Sequence, residues 1–141
     1  VTAGDDCKIR FWDKRNAQKG PLLEMIAHSH WVWQAKYNPF HDRLLLTSST
    51  DTNAALWRVL SLSADAKLEE YGASVSPTAS PSSRSIKDPS DIQVHTYTEH
   101  EDSIYGVAWS ASDPWIFATL SYDGRVVINT VPRGEKYKIL L

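Results

Sequence analysis

Thr2-Ala3-Gly4-Asp5-Asp6-Cys7-Lys8-Ile9-Arg10-Phe11-Trp12 lies over Thr47-Ser48-Ser49-Thr50-Asp51 through Ala55-Leu56-Trp57 without a gap, and in the same way over Thr119-Leu120-Ser121-Tyr122-Asp123 through Val127-Ile128-Asn129. The step from Asp6 to Asp51 is 45 positions. Upstream of the last two copies the correspondence continues, His28-Ser29-His30-Trp31-Val32 with His100-Glu101-Asp102-Ser103-Ile104, and Ala35-Lys36-Tyr37 with Val107-Ala108-Trp109. Here the step is 72 positions, the same as from Asp51 to Asp123. A self-similar period of this length marks a chain of stacked units, none of which buries its apolar face alone. The surplus of about 27 positions over the shorter period sits in one insertion between Trp57 and His100.

Within the copies, β-branched and aromatic residues alternate with polar ones over Val32 to Tyr37, Arg43 to Ser49, Ala54 to Val59, Ile104 to Trp109, Trp115 to Leu120 and Arg125 to Val131. This period of two predicts strands. Turn residues separate them at matching places, as in Asn38-Pro39-Phe40-His41-Asp42, Ser110-Ala111-Ser112-Asp113-Pro114 and the tight Tyr122-Asp123-Gly124-Arg125. No segment carries a helical period. The class is all-β, and a strand-built unit of 45 residues has the size of a four-stranded propeller blade.

Between residues 60 and 91 the composition turns to Ser, Ala, Pro and charge, with Tyr71 as its one aromatic. Such a stretch buries too little surface to offset its ordering entropy, so a disordered Ser/Pro-rich insertion is expected, with Ile92 to Tyr97 resuming as an outer strand. Ser76-Pro77 and Ser80-Pro81 have the form that proline-directed kinases favour, with Arg84 and Lys87 nearby to meet a phosphate, so Ser76 and Ser80 are candidate phosphorylation sites; an unmodified spacer is the alternative.

Charge and cysteine narrow the function classes. A net charge of -2 gives no electrostatic pull toward nucleic acid or an anionic membrane. One cysteine, Cys7, excludes an internal disulfide and fits a reducing, cytoplasmic compartment. No apolar run approaches the ~18 residues of a membrane span, so no direct membrane insertion is expected. His28 and His30 are two apart and His41 and His95 scattered, without further ligands at zinc spacing, so no metal or cofactor is expected. His28, Thr47 and Asp51 together suggest a nucleophile triad. The same three, with Trp57, equally suit a buried polar chain in which every member is paired.

The His ahead of a first strand, the Thr-x-x-x-Asp pair and a strand closing on Trp12-Asp13 resemble the WD40 family. The resemblance implies a partial WD40 β-propeller of two blades plus the end of a third, from a seven-bladed parent. Residues 1–26 would end one blade, 27–59 and 92–131 form WD repeats, and 132–141 form a C-terminal outer strand or tail. It also implies that His28, Thr47, Asp51 and Trp57 form a structural tetrad and not a catalytic centre, as do His100, Thr119 and Asp123, with Asn129 in place of the tryptophan. The chain is thus not expected to be an enzyme. By the family's pattern Trp31, Trp33 and Thr50, then Ser103, Tyr105 and Tyr122, stand on the upper face around the channel, with Asp5 representing the partial blade. Trp115 would lie on the lower side as another possible contact. Asp6, Trp12, Asp13 and Arg15 resemble the box through which some WD40 proteins dock onto a cullin-RING ligase adaptor.

Several phrases narrow the resemblance: Tyr37-Asn38-Pro39-Phe40-His41-Asp42, Tyr105-Gly106-Val107-Ala108-Trp109-Ser110, Asp113-Pro114-Trp115-Ile116-Phe117-Ala118, and the tail from Val131-Pro132-Arg133 to Leu141. Together they are similar to the C-terminal end of WD40 proteins that interact with the endosome-associated recycling complex and its Golgi-associated counterpart, EARP and GARP. That family implies a non-enzymatic scaffold binding tethering subunits in endosomal recycling and endosome-to-Golgi traffic, peripheral to endosomes and the trans-Golgi network, with no nucleic acid. The rival reading is a ligase substrate receptor. A propeller closes with about four to eight blades, and this chain opens in mid-repeat with Met25 as its only methionine, so an incomplete ring is expected. Taken alone, residues 1–141 should be poorly soluble or only partly folded; a sharp, cooperative thermal melt of a monomer would contradict this.

Overall fold

The computed structural model describes residues 1–60, 62 and 92–141. The expected insertion, with Ser76 and Ser80, lies outside the described residues, apart from its two positions 60 and 62. Among the described residues ten strands form three antiparallel sheets: β1 (Thr2–Ala3), β2 (Lys8–Phe11) and β3 (Leu23–Ile26); β4 (Val32–Tyr37), β5 (Leu44–Ser49), β6 (Ala54–Arg58) and β7 (Ile92–Tyr97); and β8 (Ile104–Trp109), β9 (Ile116–Ser121) and β10 (Val126–Thr130). Each strand pairs with its neighbour in sequence. The sheets are offset from the sequence repeats, because Ile92–Tyr97 pairs with β6 as the outer strand of the middle blade while the rest of residues 92–131 builds the next one.

The sheets stack through side chains of alternating sense. Ile9, Phe11, Leu23 and Met25 of the first sheet meet Val32, Leu45, Ala55 and Trp57 of the second. Leu44, Leu46, Ala54, Leu56 and Tyr97, on its other face, meet Ile104, Val107 and Phe117 of the third. The middle blade is therefore covered on both faces, and every residue of β5 is buried. This explains why Leu44-Leu45-Leu46 breaks the in-out alternation: a strand sandwiched between two blades has no polar side. Each fully buried leucine contributes about 1.5–3 kcal/mol. Tyr97 and Phe117 meet edge to face at 4.9 Å across the second interface, and polar bonds fix its register, Lys36 Nζ to the Val107 carbonyl at 2.8 Å and Asn38 Nδ2 to the Pro114 carbonyl at 2.7 Å.

The tail corrects one expectation. Residues 132–141 do not make an outer strand; Arg133–Leu140 form a helix, α1. Its buried member is Glu135, which receives Arg58 Nη1 at 3.0 Å and Lys138 Nζ at 2.6 Å, one helical turn on. Ile139 packs against the second core. A helix anchored by a buried carboxylate and a single apolar residue leaves no apolar period in the sequence, which is why strand-like tail was the sequence expectation.

A chain of four polar side chains closes the middle blade at one end, and the neighbouring blades carry variants of it. The indole Nε1 of Trp57 donates to Thr47 Oγ1 at 2.9 Å, that hydroxyl meets His28 Nε2 at 2.8 Å, and His28 Nδ1 meets Asp51 Oδ2 at 3.0 Å. A carboxylate only accepts, so His28 Nδ1 carries the proton that Asp51 receives, and an indole only donates, so Thr47 Oγ1 accepts from Trp57. In the third sheet Asn129 Nδ2 reaches Thr119 Oγ1 at 3.2 Å, Thr119 meets His100 at 2.8 Å and His100 meets Asp123 at 2.9 Å. The first sheet keeps Trp12 Nε1 on Thr2 Oγ1 at 2.8 Å, and Asp6 there pairs with Arg10.

The aspartate also shapes the turn. Oδ1 of Asp51 accepts the N–H of Asn53 at 3.0 Å, and Oδ1 of Asp123 that of Arg125 at 2.8 Å. The residue after each turn aspartate is left-handed: Cys7 at φ 65°, Thr52 at 70° and Gly124 at 79°. Glycine takes this conformation freely, whereas a β-branched threonine is strained in it. In the intact protein, Gly124→Ala should therefore cost about 1 kcal/mol and Thr52→Gly should stabilise, as read by thermal melts; equal effects of the two would contradict the assignment.

Burial pulls His28 below its ordinary pKa of 6.5, against the opposing pull of Asp51. Desolvation works against ionised Asp51 and Asp123, but the His28 or His100 imidazole and the backbone N–H donors outweigh it, so both lie below the ordinary 3.8. As pH falls, the unfolded chain takes up these protons before the folded one does. Stability should be complete above pH 6.5, decline below it as His28 becomes protonated in the unfolded state, and decline again below 3.8; melting temperatures across this range check the sign, and a rise on acidification would refute it.

Candidate functional site

The loops that carry the turn aspartates and the histidines lie at one end of the sheets, and the sequence-predicted contact residues ride on them. Asp51 Oδ2 accepts the N–H of Ser29 at 3.0 Å, tying the loop from β3 to β4 onto the turn between β5 and β6. Asp123 Oδ2 accepts the N–H of Glu101 at 3.1 Å and ties the corresponding pair of loops in the next blade. Ser49 Oγ and Ser121 Oγ repeat the tie from the strand ends, donating to the carbonyls of His30 at 3.3 Å and Asp102 at 2.8 Å.

On this frame a hydrogen-bonded row crosses from one blade to the other. Thr50 N–H donates to the Trp31 carbonyl at 3.1 Å, Ser103 Oγ donates to the Thr50 carbonyl at 3.5 Å, and Tyr122 N–H donates to the Ser103 carbonyl at 3.1 Å. The Tyr122 ring then lies against that of Tyr105, centroids 4.4 Å apart. Ser103 is thus the joint between the two blades. His30, which sequence reasoning had weighed only as a metal ligand, stands 5.2 Å from the Trp31 ring and bonds to the Thr50 hydroxyl.

Trp33 and Tyr105 occupy equivalent irregularities. Pairing jumps from Val32↔Ser49 to Gln34↔Ser48, and from Ile104↔Ser121 to Gly106↔Leu120, so each aromatic is the extra residue of a β-bulge on the first strand of its blade. A bulge re-aims its side chain out of the alternation. Trp31, Trp33 and Tyr122 are left 51%, 49% and 65% exposed, which puts three large amphipathic rings at one end of the sheets.

The other candidates are placed differently. Trp115 stacks on His41 of the neighbouring blade at 4.7 Å with Lys136 over its ring at 5.8 Å, so it is taken up by contacts within the chain. Asp6 and Trp12 are engaged within the first sheet. Arg15 lies in the loop after β2, where its guanidinium meets both carboxylate oxygens of Asp13 at 3.2 and 3.4 Å and stays exposed. Among the described residues no group of three or more His, Cys, Asp or Glu is arranged to hold a metal ion, and no helix is long and apolar enough to cross a membrane.

Known proteins match along the whole chain. The family model described as EIPR1 beta-propeller matches residues 1–57, and that of the WD domain, G-beta repeat, matches residues 92–128. The chain is 47% identical over its full length to the EARP-interacting protein homolog of Gekko japonicus and 46% identical to the EARP and GARP complex-interacting protein 1 of Homo sapiens. It is 37% identical, over 99% of its length, to the EARP-interacting protein 1 of Caenorhabditis elegans. The chain spans 37% of the length of the first two relatives and 38% of the third. Repeat register, stacked antiparallel sheets and these matches agree, and the chain belongs to the WD40-repeat β-propeller family of EARP- and GARP-interacting proteins.

Proposed function

We propose that this chain forms part of a non-enzymatic propeller scaffold that binds the EARP and GARP tethering complexes in endosomal recycling and endosome-to-Golgi transport, working at the surface of endosomes and the trans-Golgi network. The observation that carries the reading is the upper face. Trp31, Trp33 and Tyr122 are exposed, with Trp31 and Tyr122 on loops that the Asp51 and Asp123 carboxylates tie together and Trp33 and the half-buried Tyr105 in bulges of the first strands. Rigid, wide aromatic surface at the centre of a contact is what binding hot spots are made of, since it buries much area at little cost in side-chain entropy. The relatives' names supply the partner.

Trp31, Trp33, Thr50, Ser103, Tyr105 and Tyr122 are the contact residues in this reading. The tetrads are its supports: a triad-like His28, Thr47 and Asp51 whose every polar atom is engaged inside the blade has no free nucleophile. The rival reading, docking to a cullin-RING adaptor through Asp6, Trp12, Asp13 and Arg15, draws on Arg15 alone, whose side chain is 83% exposed.

Capture from cell extract with the intact protein separates the readings. Trp31→Ala combined with Tyr122→Ala should cut recovery of tethering subunits by tenfold or more, about the loss that two hot-spot truncations give, while leaving the thermal melt in place. Arg15→Ala should leave tether recovery unchanged. Tether recovery indifferent to the double variant, or ligase-adaptor recovery abolished by Arg15→Ala, would overturn the proposal.

A further inference from the structure

The net charge of -2 conceals a separation of charge along the strand direction. On the upper end, in the loops at residues 4–7, 27–31, 50–53, 98–103 and 122–125, Arg125 is the one lysine or arginine among the described residues. It is consumed by Glu101 and Asp123, both at 3.1 Å. Asp5, Glu99 and Asp102 are exposed there and form no ion pair with the described residues. Among the described residues the opposite end carries Lys14, Arg15, Lys19, Arg43, Arg133, Lys136 and Lys138 against Asp13, Asp42, Asp113 and Glu135, with Arg15 paired to Asp13 and Lys138 to Glu135, so basic residues outnumber acidic ones there. The composition therefore suggested electrical indifference, and the fold sorts the charges into an acidic end and a basic one.

The acidic end also bears the exposed rings of Trp31, Trp33 and Tyr122, whereas the exposed rings of the opposite end, Tyr37, Phe40 and Tyr137, stand among basic residues. Asp102 precedes Ser103, the joint of the hydrogen-bonded row; its carbonyl receives Ser121 Oγ at 2.8 Å and its Oδ1 accepts the N–H of Ser103 at 2.6 Å, which fixes an exposed carboxylate on the loop next to that joint. Asp5 occupies in the first blade the position that Thr50 and Tyr122 occupy in the others. We infer that the upper face receives a cationic, arginine- or lysine-bearing segment of its partner, the rings Trp31, Trp33, Tyr105 and Tyr122 taking the guanidinium or ammonium planes and Asp5, Glu99 and Asp102 balancing the charge. The inference rests on the upper face being the contact surface. An aromatic face attracts cations through its ring quadrupole, an attraction that grows when water is excluded. Nearby uncompensated carboxylates raise the local concentration of a positive partner and repel a negative one. An acidic or wholly apolar partner would leave Asp5, Glu99 and Asp102 buried without a counter-charge, which is costly.

Fluorescence anisotropy of the intact protein with three labelled peptides of equal length, in which arginine, lysine or glutamate alternates with glycine and serine, tests this. The arginyl and lysyl peptides should bind with an affinity that falls as salt rises, and the glutamyl peptide should not bind. Trp33→Ala should weaken arginyl binding about tenfold, with Trp33→Phe restoring part of it, and Asp5→Asn with Asp102→Asn should weaken it and flatten the salt dependence. Unchanged thermal melts of the variants exclude misfolding as the cause. Equal binding of the glutamyl peptide, or arginyl binding indifferent to both the tryptophan and the aspartate variants, would overturn the inference. If that happens while tether capture still depends on Trp31 and Tyr122, only the cationic class falls; if capture too is indifferent to them, the contact surface itself is elsewhere.

Discussion

One carboxylate per blade holds the upper end together. Asp51 accepts at once from the Asn53 and Ser29 backbones and from His28, and Asp123 does the same with Arg125, Glu101 and His100. A carboxylate has lone pairs enough for three or four donors, and in a half-buried place every one of them must be used. The result is that two loops far apart in sequence, 22 or 23 residues along the chain, are fixed to one another by a single side chain. The left-handed residue that follows each turn aspartate goes with the bond that aspartate accepts from the N–H two residues on, which all three turns share, and at Thr52 the surrounding bonds hold the strain in place.

Function hangs from the same point. The exposed aromatic residues stand on the loops and bulges that the aspartate network orders, so the face we propose for binding is mounted on hydrogen-bonded loops. The tetrad reaches inward from there, through His28 and Thr47 to Trp57, and joins that face to the apolar contact between the first two sheets. Polar satisfaction and apolar stacking are in this way one construction: the histidine stays neutral because it is buried, and it can be buried because both its nitrogens are paired.

Much of this was legible in the repeat. Asp6, Asp51 and Asp123 in register predict equivalent turns, and the structure makes them equivalent down to the left-handed residue after each, although only Gly124 announces that conformation by its side chain. Exposure of Trp31, Trp33 and Tyr122 followed from position in the repeat. The stretch of three leucines in β5 could be read as buried, but not on which sides, because a strand covered by two blades and one covered by none of its own period look alike in sequence.

By itself the sequence determined the strands and the blade period, since these are local or repeat with a fixed spacing, and the family resemblance added the polar chain found in the middle blade. The tertiary structure alone decided the rest. It turned the tail into a helix held by Glu135 and Arg58, a pairing 77 residues apart that no periodicity encodes. It took Trp115 into a stack with His41 and Lys136, joined Thr50 to Ser103 across the blades, and, among the described residues, gathered most of the acidic loop residues at one end. Contacts between blades depend on which repeat faces which, and sequence order fixes that only once the sheets are stacked.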